Sequence, residues 1–192
     1  MYLVRNCFFL FIVIVIASCA KKREEGNPQV IDSKMELPII KDVGKFTGTT
    51  SDNKPFSNEN LKGIPSIVYF MFTTCKGPCP IINKQTESLV SELKNKVQFV
   101  AITVDPETDT PEQLLEYSKT FSYNKGSWFF VQTIPDSLRS IAVNNFMVGD
   151  MESPMVHSTR YILVDKNSKI RGYYDGLDSK AIEKMKKDLL TL

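Results

Sequence analysis

The feature that most limits how this chain can fold is a set of short, nearly unbroken apolar runs. Ile67-Val68-Tyr69-Phe70-Met71-Phe72, Phe99-Val100-Ala101-Ile102-Thr103-Val104 and Trp128-Phe129-Phe130-Val131 place apolar side chains at consecutive positions. A strand with one wet face alternates, so a continuous run fits a strand covered on both faces. Helical patterns separate the runs. Ile82, Leu89 and Leu93 share one helical face, and Leu114, Tyr117 and Phe121 share another behind the capping-box form Thr110-Pro111-Glu112-Gln113. Pro135 opens a third helix reaching Phe146. A strand from His157 to Val164 pairs with Ile170 to Tyr174 across Lys166-Asn167-Ser168, and Asp178 caps a final helix. Near the start, Phe46-Thr47-Gly48-Thr49 and Lys54-Pro55-Phe56 flank a polar turn and predict an N-terminal hairpin. The alternation predicts an α/β fold: a mostly parallel central sheet, flanking helices and right-handed crossovers.

Three segments divide the chain of 192 residues. Residues 1–18 read as a signal peptide, 19–36 as a lipidated N-terminus and tether, and 37–192 as the folded domain. Arg5 precedes an apolar run from Cys7 to Ala17, and these 11 residues fall short of the about 20 needed to span a bilayer. Ala17-Ser18-Cys19 ends the run as a bacterial lipoprotein signal ends, with Cys19 the lipidated residue. Two or more acyl chains there would anchor the domain stably to a membrane, outside the cytoplasm. Lys21-Lys22-Arg23-Glu24-Glu25-Gly26-Asn27-Pro28 is charged, aperiodic and suited to a tether. Lys and Arg number 24 against 22 Asp and Glu, a balance that does not suggest nucleic acid as a partner.

The segment boundaries simplify the cysteines. Cys7 leaves with the signal and Cys19 is consumed by lipid, so the exported domain keeps only Cys75 and Cys79. Its compartment permits disulfides. Pro80 suits the first helical position, which makes Cys79 the N-cap. Helix-terminal amides, the positive dipole end and Lys76 would all favour a thiolate. Spacing of i, i+4 permits a disulfide and equally lets both sulfurs face one ion. A mere staple is the weaker reading, because a ring this small closes little chain. His157 is the only histidine. Two thiolates and one imidazole suit copper first and zinc second. Asp109 reads as an acid placed near a helix start by the dipole. Met147, Met151 and Met155, in a loop over 147–156, read as packing residues.

Three segments in order carry a family resemblance. They are Phe72-Thr73-Thr74-Cys75-Lys76-Gly77-Pro78-Cys79-Pro80, which matches a CxxxCP motif, then Thr103-Val104-Asp105-Pro106-Glu107-Thr108-Asp109-Thr110-Pro111, then His157-Ser158 opening the strand to Asp165. The chain resembles the Sco/SenC proteins, thioredoxin-like assembly factors for the binuclear copper centre of cytochrome c oxidase, over residues 37–192. The resemblance implies a thioredoxin-like fold, copper as Cu(I) or Cu(II), and Cys75, Cys79 and His157 as its ligands. It implies Asp105 as a nearby acid that tunes the site. The implied partner is a copper-accepting subunit of cytochrome c oxidase or another cuproprotein. A metallochaperone is therefore the first expectation. A membrane-anchored thiol–disulfide oxidoreductase, using Cys75 and Cys79 as a redox pair to keep the acceptor's cysteines reduced, is the second.

Overall fold

Two unlike cores, one on each face of a single sheet, account for the apolar runs. The computed structural model describes residues 36–94, 96–122, 126–149 and 158–192. Its strands are β1 (Lys41–Asp42), β2 (Thr47–Thr50), β3 (Pro55–Ser57), β4 (Ser66–Met71), β5 (Gln98–Thr103), β6 (Trp128–Thr133), β7 (Arg160–Val164) and β8 (Lys169–Asp175). Among the described residues they form one sheet in the order β1-β8-β7-β4-β5-β6-β2-β3. Every residue of β4 and β5 is buried. Ile67, Tyr69, Met71, Phe99 and Ala101 face one core, and Val68, Phe70, Val100 and Ile102 face the other. That split is the strand period of two acting on an unbroken apolar run.

The helices are α1 (Cys79–Leu93), α2 (Pro111–Ser118), α3 (Pro135–Ser140) and α4 (Ser179–Leu189). Ile82, Leu89 and Val90 of α1, Leu114 of α2, and Ile182, Met185 and Leu189 of α4 cover the first face. Ile141, Ala142 and Phe146 cover the second, with Phe46, Phe56 and Leu61 from the N-terminal part. The third helix does run on towards Phe146, but Ile141–Asn145 is wound as a π turn. As expected, Asp178 caps α4, accepting from Lys180 N at 2.9 Å, and Thr110 caps α2, accepting from Gln113 N at 3.3 Å.

The expected fold needs one refinement. Parallel pairing is confined to β4–β5 and β5–β6, whereas β7, β8, β1, β2 and β3 all join antiparallel. The helical crossovers that parallel strands require occur only between the central strands. The flanks carry the two expected hairpins, β2–β3 and β7–β8. At the edge holding the β7–β8 turn, Asp165 accepts from Asn167 N at 2.8 Å and Lys169 N at 3.0 Å. It also meets Arg171 Nη1 at 2.6 Å, both side chains being buried. Arg171 donates onward to the carbonyls of Pro38 and Leu37, which fastens the start of the domain to β8. The described residues all fall in the unit Ser33–Leu192, and no helix among them is long and apolar enough to cross a membrane.

Candidate dithiol and metal site

Strands β4, β5 and β6 end together, and the loop from β4 into α1 crosses that edge carrying both cysteines. Helical geometry begins one residue earlier than expected. Pro78 already has helical φ and ψ, so Cys79 is the first residue of α1 and no side chain caps the helix. Cys75 and Cys79 are free thiols, each about 8% exposed.

Their environments differ. Burial works against ionisation of Cys75, but hydrogen bonds from the Cys79 thiol and from the backbone amides of Cys79 and Gly77 outweigh it and hold that thiol below its ordinary range. Cys79 is pushed up to about 12, by burial first and then by its hydrogen bond to Cys75 and the charge there. One proton shared between two sulfurs explains both directions. The expected help of the helix-end amides is therefore present. Lys76 is exposed and is not among the groups that set either value.

Asp109 holds the loop in place. Expected as an acid placed near a helix start by the dipole, it is fully buried just before α2. It accepts from Thr73 N at 3.0 Å and from the hydroxyls of Thr73 and Thr103. Thr73 lies two positions before Cys75 and Thr103 ends β5, so this carboxylate ties the cysteine loop to the neighbouring strand. Asp105 is half-buried. Its amide donates to Thr103 Oγ1 at 3.0 Å, and its carbonyl accepts from the amides of Thr108 and Asp109. It thus shapes the turn that presents Asp109.

Beneath the thiols, Asn83 of α1 is fully buried between two tyrosines. It accepts from Tyr69 at 2.6 Å and donates to Tyr117 at 2.9 Å. Asn83, Tyr69 and Tyr117 were not legible as site residues. The one available signal was a polar side chain four positions after Cys79 on the face that Ile82 buries. His157, Cys19, Met151 and Met155 lie outside the described residues, as do the residues read as a signal segment and nearly all of 19–36, read as a tether. Met147 is half-exposed with a left-handed φ of 54°. Among the described residues, no group of three or more His, Cys, Asp or Glu converges as a metal site. Of the expected ligands, the described residues include Cys75 and Cys79, whose thiols lie together.

A dithiol at the strand-to-helix apex of a sheet covered on both faces defines a protein of the thioredoxin-like class. Comparison with known proteins narrows this. The SCO1/SenC family model matches residues 39–191, and the chain belongs to that family. Among solved structures it resembles a SCO1/SenC family lipoprotein from Bacillus anthracis, at 28% identity and a TM-score of 0.69, covering 79% of this chain and 95% of that one. It resembles BsSco, a member of the Sco family of cytochrome c oxidase assembly proteins in which a disulfide switch was identified. There the identity is 26% and the TM-score 0.68, with 80% and 95% covered. ScoI of Arabidopsis thaliana, solved with copper bound, shares the fold at 24% identity and a TM-score of 0.66, with 78% and 98% covered.

Proposed function

We propose that this chain is a copper metallochaperone that takes copper as cargo on Cys75, Cys79 and His157 and passes it to the copper centre of cytochrome c oxidase or another cuproprotein. The observation that carries the reading is the pair of reduced, buried, mutually hydrogen-bonded thiols at the loop apex. Soft thiolates with one imidazole match copper, and membership of a family whose relatives include a copper-bound protein supports it. The residues of this chain have three tasks. Cys75 offers a thiolate, Cys79 must release its proton as the ion arrives, and Asp109 keeps the loop in register. Uptake is therefore coupled to proton release. Asp105 would tune the site from the adjoining turn. A lipid on Cys19 would hold residues 37–192 at the membrane surface through the 19–36 tether, a reading supported by the lipoprotein relative.

A second activity follows from the inequality of the thiols. The Cys75 thiolate would attack a partner disulfide and expel one partner thiolate. Cys79, losing its proton, would then attack Cys75 in the mixed disulfide and release the other. Two electrons pass to the partner, and a Cys75–Cys79 disulfide remains. The disulfide switch of BsSco is in keeping with this.

Metal stoichiometry of the reduced protein and thiol release from a model disulfide, measured together, separate the two readings. His157→Ala should lose most copper affinity while exchange persists at a comparable rate, and Cys75→Ser or Cys79→Ser should lose both. If the reduced wild type takes up no copper, delivery is wrong and the oxidoreductase reading stands.

A further inference from the structure

Helix α1 begins without a side-chain cap and with no acid in its first turn, so the end that carries Cys79 lacks the usual anchor of a helix N-terminus. It is held from the side instead, one turn further on. Asn83 follows Cys79 by four residues on the same buried face, about 6 Å along the axis. Its side chain is fully buried and bonded at both ends. The Trp128 indole N–H can only donate, and it donates to the Tyr69 hydroxyl at 3.0 Å. The Tyr69 hydrogen therefore goes to Asn83, whose Oδ1 accepts at 2.6 Å. Asn83 Nδ2 donates in turn to the Tyr117 oxygen at 2.9 Å. This order of donors leaves the carboxamide a single orientation.

Tyr69 and Trp128 belong to β4 and β6, and Tyr117 to α2, so one side chain ties the cysteine helix both to the sheet and to the neighbouring helix. Cys75 is fastened by other means. Its amide bonds the Phe72 carbonyl at 3.4 Å, and Thr73, two positions before it, is held by Asp109. Each sulfur therefore has its own anchor, and the place of one relative to the other depends on both. Packing alone does not ask for an asparagine at this position. A leucine has the same branched shape and no polar atoms to satisfy, whereas a fully bonded polar network fixes one arrangement of the elements it joins.

We propose that Asn83 is the positioning residue of the dithiol: clamped between Tyr69 and Tyr117, it fixes Cys79 against the separately anchored Cys75, so that both sulfurs can meet at one atom. The proposal rests on the reading of Cys75 and Cys79 as sulfurs that act together. It requires neither copper nor a particular charge on either thiol.

The test titrates the reduced full chain with phenylarsine oxide, in a Cys7→Ser, Cys19→Ser background that leaves Cys75 and Cys79 as the only cysteines. The arsenical forms two As–S bonds and its oxygen leaves as water with the two thiol protons, so tight binding needs two sulfurs within reach of one atom. Asn83→Leu should weaken it about tenfold, while alkylation by iodoacetamide, which asks for one sulfur at a time, should not slow. Tyr117→Phe removes one end of the clamp from a different element and should weaken the arsenical about threefold, which decides the question should Asn83→Leu not fold. Tyr174→Phe removes another hydroxyl of the same core, one that bonds Asp188 in α4 at 2.6 Å, and should lower Tm without weakening the arsenical. The proposal is overturned if Asn83→Leu or Tyr117→Phe binds the arsenical as tightly as the parent, or if Tyr174→Phe weakens it equally. A parent protein that does not bind the arsenical overturns the reading of a working dithiol, and this proposal with it.

Discussion

Asp109 and Asp165 are both buried carboxylates, set at opposite edges of the sheet, and they are satisfied in different ways. Asp165 has a cation, the buried Arg171, together with two turn amides. Asp109 has an amide and two threonine hydroxyls. The first arrangement neutralises charge and closes the β7–β8 turn. The second holds the side chain by one amide and two hydroxyls, at the edge where the thiols sit. One edge is fastened by a paired charge and the other by neutral hydrogen bonds to the cysteine loop.

Removing the cation should break the comparison most sharply. Arg171→Met leaves Asp165 buried and unpaired, which costs about 3–5 kcal/mol. A urea titration should show the loss, and adding Asp165→Asn, which removes the charge but keeps an acceptor oxygen for the two turn amides, should recover part of it. If Arg171→Met alone is as stable as wild type, the pair is not the fastening described. Next in size is Asp109→Asn. An amide group would face three donors with one acceptor oxygen, at a cost of about 1–3 kcal/mol, and the cysteine loop should loosen. Faster hydrogen exchange at Thr73 N would report it, and unchanged protection there would remove Asp109 from the site.

The smallest expected effect separates the edges by pH. The folded state holds the Cys79 proton to about 12, whereas the unfolded chain releases it near the ordinary thiol value. A raised pKa gives stability that is present below the unfolded value and lost as pH climbs towards the folded one. From pH 9 to 10 the Cys79 thiol should therefore withdraw about 1 kcal/mol, offset in part by Cys75, whose lowered value acts in the opposite sense. The slope should shrink in Cys79→Ser without vanishing, because burial also raises Tyr69, Tyr117, Tyr161, Tyr173 and Tyr174 above the ordinary tyrosine value. Arg171 does not titrate there, so replacing it should leave the slope unchanged.

What could be read beforehand follows a physical line. The apolar runs located β4, β5 and β6 to within two residues at each end, because burial on both faces leaves a local trace. The cysteine pair was legible because its spacing is local too. The role of Asp109 was not, since its partner Thr73 lies 36 positions back and only the sheet brings them together. The same holds for Asn83, whose partners come from β4 and α2. Lys76 was misleading in the other direction. Adjacent in sequence to Cys75, it points to solvent, and backbone dipoles with the second thiol perform the task its charge suggested.

The Arg171 clamp has a mechanical consequence. Any pull on the chain ahead of Leu37 arrives first at the Leu37 and Pro38 carbonyls that this guanidinium grips. It then reaches the pairing of β1 with β8 at Lys41 and Ile170. These attachments lie at the edge away from the ends of β4 and β5. Tension from the N-terminal side thus meets its first attachments across the sheet from the cysteine loop.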